Sequence, residues 1–123
     1  MKRINVSKMI VEQLVDCFAA IALDQAEAIL MDDNAKFNRL FWQMEAVEGQ
    51  LKARIGDQRR ALLQLYDHPN AQVRLTAAKA TLAVAPEAAR RLLRALVDSK
   101  EFPQAGDAGM SLVNLDRGIF KPT

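Results

Sequence analysis

The stretch that decides the fold is Leu62-Leu63-Gln64-Leu65-Tyr66-Asp67-His68-Pro69-Asn70-Ala71-Gln72-Val73-Arg74-Leu75-Thr76-Ala77-Ala78. It reads as a leucine-rich helix, a turn, and the start of an alanine-rich helix. The turn is Asp67-His68-Pro69-Asn70: Pro fixes φ, and Asp and Asn bond locally to backbone. The helix that follows is predicted from about Ala71 to Val84. Val73, Ala77, Ala80 and Val84 form one apolar stripe, and Leu75, Ala78, Leu82 and Ala85 form another. Gln72, Thr76 and Lys79 lie opposite both. A short helix that is apolar on two flanks must sit between neighbours, and its alanines allow close approach. The inner helix of a stacked helical solenoid needs this pattern.

Working outward, Asp57 restarts the chain after Gly56 as a helix cap. Pro86 suits the first turn of the next helix. There Ala89, Leu92, Leu93 and Leu96 are the buried stripe, and Glu87, Arg90, Arg91 and Arg94 are the wet side. Toward the N-terminus, residues 7–31 contain no Gly or Pro. Ile10, Leu14, Cys17, Phe18 and Ile21 recur at helical spacing, with Ser7 as the expected cap. Asp32-Asp33-Asn34 breaks this helix. Phe37, Leu40, Phe41, Met44, Val47, Leu51 and Ile55 then mark a second one ending at Gly56. The short break makes the two an antiparallel hairpin. After Ser99 the chain becomes rich in Gly and Pro, yet Phe102, Met110, Leu115, Ile119 and Phe120 are too apolar for a free tail. A short helix over 107–117, capped by Asp107 and stopped by Gly118, is expected to cover the last hairpin.

The expected fold class is therefore all-α: a superhelix of antiparallel helical hairpins, with about five main helices and a short C-terminal capping helix. A single domain over 1–123 divides into a long hairpin at 7–55, a repeat-like unit at 57–99 and a capping segment at 100–123. Composition agrees. Half of the 123 residues are hydrophobic but only 6% are aromatic, which favours close-packed helices over strands.

The quoted stretch resembles a HEAT repeat: a leucine-rich helix, an acidic Pro-containing turn, then Val-Arg and paired alanines. The match covers residues 57–99; the first two helices are longer than a typical HEAT hairpin. The resemblance implies that Arg74 reaches acidic or carbonyl groups in the turns, with Asp67 the candidate. The whole chain, including Pro103-Gln104-Ala105-Gly106-Asp107-Ala108-Gly109-Met110 and Gly118-Ile119-Phe120-Lys121-Pro122, also resembles a small bacterial family of HEAT-like proteins known only as a domain of unknown function. That likeness implies a fold and a bacterial origin, and no activity.

Reactive chemistry is sparse. One His and one Cys leave no His/Cys metal site and no two-histidine scheme. His68 reads as a turn residue and Cys17 as a buried thiol. No Gly-rich phosphate loop or nucleophile elbow is present. No catalytic residue, cofactor or metal ligand is assigned, and the chain is not expected to be an enzyme. Asp32 and Asp33 read as helix caps in preference to cation ligands. The basic N-terminal residues 1–6 lead into Glu12 and Asp16, so no signal peptide or membrane span is expected, and the default location is the cytoplasm.

Two binding surfaces stand out. Trp42 lies about 140° around its helix from Phe37 at about 100° per residue, on a face with Asn38, Glu45 and Gly49. Gly49 leaves room beside the indole, and Trp is enriched in binding hot spots. The other reading has the C-terminal segment or the next hairpin covering the ring. The second surface joins Gln72, Thr76 and Lys79 to a basic edge at Arg90, Arg91 and Arg94, with Arg59 and Arg60 as possible neighbours and Glu87 as a local counter-charge. Charge is uneven: residues 1–50 carry five Lys/Arg and eight Asp/Glu, and residues 51–123 carry twelve and seven. The expected function is a non-catalytic protein-binding module, that is, an adaptor, inhibitor or immunity-type protein. The alternative is a nucleic-acid-binding solenoid using the basic C-terminal half, against which stands the lack of aromatics interleaved with the cations.

Overall fold

The structure is a computed structural model and describes residues 5–123; residues 1–4 of the basic N-terminus lie outside it. The chain is all-α, with no strand among the described residues. It forms two compact units, Met1–Ala61 and Leu62–Thr123.

In the first unit, α1 (Val11–Leu30) and α2 (Asn34–Ala53) pack as a hairpin. The core is Leu14, Val15, Phe18, Ile21, Ala22 and Ala28 of α1 against Leu40, Met44, Val47 and Leu51 of α2. The joint is tight because two consecutive aspartates serve different helices. Asp32, at φ +53°, closes α1 in the left-handed conformation. The amide of Asp33 donates to Ala28 O at 2.8 Å and that of Asp32 to Ile29 O at 3.2 Å, the Schellman pattern. Asp33 then opens α2 by accepting from the Lys36 amide at 3.0 Å.

The N-terminal end differs from expectation. Residues Val6–Lys8 form a 3₁₀ turn, and α1 starts only at Val11. Its cap is Gln13, whose Oε1 accepts from the Ile10 amide at 3.0 Å, while the Ser7 hydroxyl donates to Asn5 Oδ1. Arg54 holds the segment: its Nη2 donates to Met9 O at 2.7 Å and Val6 O at 3.4 Å. The second helix also stops early. It ends at Ala53, so Ile55 points to solvent instead of continuing the buried stripe.

Residues Gln58–Leu65 make a 3₁₀ helix in place of the expected α-turns. They lead into the second unit, built from α3 (Ala71–Ala80), α4 (Pro86–Ser99) and α5 (Gln104–Asp116). Asn70 caps α3, its Oδ1 accepting from the amides of Gln72 and Val73 at 2.9 and 3.2 Å. The preceding turn is tied by the Asn70 amide donating to His68 Nδ1 at 3.0 Å. Both predicted stripes are buried except at Val84, which lies beyond the end of α3 and is only partly covered. The helix is shorter than predicted because it stops at Ala80; buried Thr81 bonds the Ala77 carbonyl at 2.8 Å and the Tyr66 hydroxyl at 2.5 Å. The core of this unit is Leu75, Ala78 and Leu82 against Ala89, Leu93 and Leu96, closed by Ala108 of α5.

The covering helix α5 starts three residues before Asp107 and ends at Gly118 (φ +70°), where the Ile119 amide donates to Asn114 O at 2.9 Å. The residues it buries are Ala105 and Ala108, with Leu112 and Leu115 partly covered. Phe102, Met110, Ile119 and Phe120, expected to pack inward, are exposed. Small residues let α5 lie close to α3 and α4, which leaves the large side chains of the same segment on the outside.

Candidate binding surfaces

Trp42 projects from the outer face of α2 and keeps 70% of its surface exposed. Nothing covers it among the described residues; its ring contact is Phe41, edge-on at 5.2 Å and 81°. A Cβ placed on Gly49 would meet no atom within 4 Å. Helical geometry puts exposed Asn38, Glu45, Ala46 and Gly49 around the indole, so it stands above a low ridge of small and polar side chains.

Beneath one flank of that ridge, Glu48 is partly buried. Loss of hydration pushes its carboxyl pKa up, and neighbouring Glu45 adds to the effect, while Arg59 and Lys52 oppose it. Arg59, a possible neighbour of the basic edge in the sequence reading, is not available there. It is buried, and its Nε and Nη2 donate to the two carboxylate oxygens of Asp57 at 2.9 and 2.7 Å. This two-point contact holds the Asp57 carboxyl below its ordinary pKa. Cys17 is only half-buried, and that burial raises its thiol pKa.

The second surface is assembled differently from its sequence reading. Gln72 is buried at 5% exposure, where its Oε1 accepts from Gln104 Nε2 at 3.1 Å. The Thr76 hydroxyl donates within its own helix, to Gln72 O or Val73 O at 3.0–3.1 Å. Lys79 is exposed and pairs with Asp107 at 3.0 Å. Arg90 pairs with Asp116 at 2.9 Å instead of Glu87. Arg74 reaches Glu101 at 3.5 Å, not Asp67, and its buried Nε has no partner. Arg91 and Arg94 remain on the exposed side of α4. Three cations of α3 and α4 are thus engaged by three acids of α5 and its approach. That clamp spans 26–28 residues of sequence, and no local periodicity could have disclosed it.

Among the described residues no three His, Cys, Asp or Glu side chains converge on a possible metal position, and no helix is long and apolar enough to cross a membrane.

Residues 12–116 match the family model described as Domain of unknown function (DUF2019). The chain belongs to that family. A solved structure, that of the protein RPA1889 from Rhodopseudomonas palustris CGA009, is 53% identical and covers 98% of this chain and 100% of its own, with a TM-score of 0.95. No curated protein matches the chain. DUF2019 membership brings no activity with it, and the Rhodopseudomonas protein is a relative of the same fold.

Proposed function

We propose that this DUF2019 chain is a non-catalytic protein-binding module, an adaptor, inhibitor or immunity-type protein, whose partner packs on the α2 face around Trp42. The observation that carries the reading is the 70% exposure of a single tryptophan. Trp is normally among the highly buried side chains, and an indole left in water beside Phe41 and an open glycine ridge is an anchor awaiting a pocket. Such anchors cost about 2 kcal/mol or more when truncated at an interface, or roughly thirtyfold in Kd.

The HEAT-like reading belongs to the same proposal: α3 with its two buried alanine flanks and α4 with Pro86 at its start form one repeat-type hairpin. Fold alone does not fix function. The nucleic-acid alternative has less support, because Arg74, Lys79 and Arg90 are engaged by acids of the same unit.

The test is affinity capture from a bacterium that encodes the chain, followed by calorimetry with the captured protein. Trp42→Ala should weaken binding roughly thirtyfold or more with the helical spectrum unchanged. Equal affinity for the variant refutes the assigned face. A salt-sensitive shift on mixed-sequence DNA that Arg91→Glu abolishes would move the assignment to the polyanion reading.

A further inference from the structure

The flank of the Trp42 ridge carries a pattern of rings and charge that selects what can meet it. Phe41 is 43% exposed, and its ring stands at 81° to the indole with centroids 5.2 Å apart. The two rings are two walls of a corner open to solvent. Glu45 follows Phe41 by four residues and Trp42 by three, so helical geometry sets its side chain beside both. It is exposed and has no ion-pair partner among the described residues. At about 100° per residue, Phe41, Glu45 and Glu48 all fall on one side of Trp42, and Arg39 falls on the other. Glu48 is near enough that the charge of Glu45 adds to the rise in its pKa. Lys52 and Arg59 offset part of the Glu48 charge, and Arg59 is already committed to Asp57.

We infer that the partner meets this corner with a cationic side chain, an arginine or a lysine, laid against the Trp42 and Phe41 rings with its charge toward Glu45. The inference rests on the Trp42 reading and adds the chemistry of the group that binds there. The face of an aromatic ring is electron-rich and attracts cations, tryptophan most strongly, and the attraction grows as water is excluded. The Glu45 carboxylate accepts a charge-assisted hydrogen bond from the arriving N–H. An apolar side chain would cover that carboxylate and leave it without a partner, at a cost in free energy. A cation satisfies the rings and the carboxylate together. Acidity alone does not single out the place: α1 carries Glu12, Asp16, Asp24 and Glu27 with no Lys or Arg, but its one aromatic, Phe18, is buried. Exposed rings and an unpaired acid coincide at the Trp42 corner.

The test needs no unidentified partner. Hexa-arginine is titrated into the isotope-labelled full chain and followed by nuclear magnetic resonance at about 0.1 M salt, where distant surface charges are largely screened. The indole N–H of Trp42 should show the largest shift, and hexa-glutamine should leave it in place. Trp42→Leu and Glu45→Gln should each weaken the apparent affinity at least roughly threefold with the helical spectrum unchanged. Glu12→Gln, which removes the same charge from α1, should bind as the parent chain does. Shifts centred on the α1 acids, or a Glu45→Gln chain that binds as tightly as its parent, overturn the inference. The Trp42 reading fails separately. It falls if Trp42→Ala leaves affinity for the captured protein unchanged, and it survives if hexa-arginine ignores the corner while that affinity is lost.

Discussion

Replacing Ala108 with Asp asks what seats α5. Ala108 has no exposed surface and closes the cluster formed by Leu75, Ala78, Leu93 and Leu96. A carboxylate there has no room and no partner in that cluster. Breaking a buried pair and leaving an uncompensated charge costs about 3–5 kcal/mol, and this charge is equally unpaired. Helix propensity adds roughly half a kcal/mol. Lys79→Ala removes instead an ion pair whose partners are both nearly half exposed, worth about 0.2–1 kcal/mol. At roughly 4 °C per kcal/mol for a chain of this size, the first variant should lose more than about 12 °C in Tm and the second less than about 4 °C. Thermal unfolding followed by far-ultraviolet circular dichroism measures both. The Ala108→Asp deficit should shrink as the pH falls through the raised pKa of the new carboxyl. If Lys79→Ala costs as much as Ala108→Asp, the ion-pair clamp and not close packing holds α5, and the reasoning fails.

Asn70→Ala should cost about 1 kcal/mol through the lost cap of α3, and Asn70→Gly only a few tenths, both read from urea midpoints. Glu48→Gln should stabilise the chain at neutral pH, because the raised pKa means that folding disfavours the ionised carboxyl. The gain should vanish below about pH 4, where the unfolded-state carboxyl is itself protonated. Asp57 works in the opposite sense. Its depressed pKa contributes stability above the ordinary carboxylate range that is lost as pH falls through the folded value, so Asp57→Asn should flatten the acid limb of the stability curve. Truncation after Lys100 should expose Ala78, Leu93 and Leu96, lower the Tm and drive association visible by light scattering.

Much of the architecture was legible because helix ends are written locally. Asp33, Asn70 and Pro86 mark starts, and Gly118 marks a stop, where the chain needs them. The paired alanine flanks of α3 announced burial on both sides. What escaped reading was set by distant chain. Periodicity placed Gln72 opposite both stripes, yet the Gln104 side chain meets it and the residue is buried. Glu87 was the nearest acid to Arg90 in sequence, but Asp116 reaches it. In the last segment, large apolar side chains suggested the buried face. The actual contact uses Ala105 and Ala108, because a helix laid close against two others can admit only small residues. Of the candidate site, the angle of Trp42 to Phe37 set it off the buried stripe but left open whether other chain covers it, and the engagement of Lys79 and Arg90 was not legible at all.

The exposed indole also makes the chain its own reporter. Trp42 is the sole tryptophan and already stands in water, so its emission should be red and readily quenched by iodide in the free protein. Unfolding moves it from water to water and should change its colour little, although the loss of Phe41 as a ring neighbour alters its surroundings. Docking would carry it from water into a protein pocket, with a blue shift and shielding from quencher. In most proteins tryptophan fluorescence follows folding; in this one it should be nearly silent to folding and bright to contact.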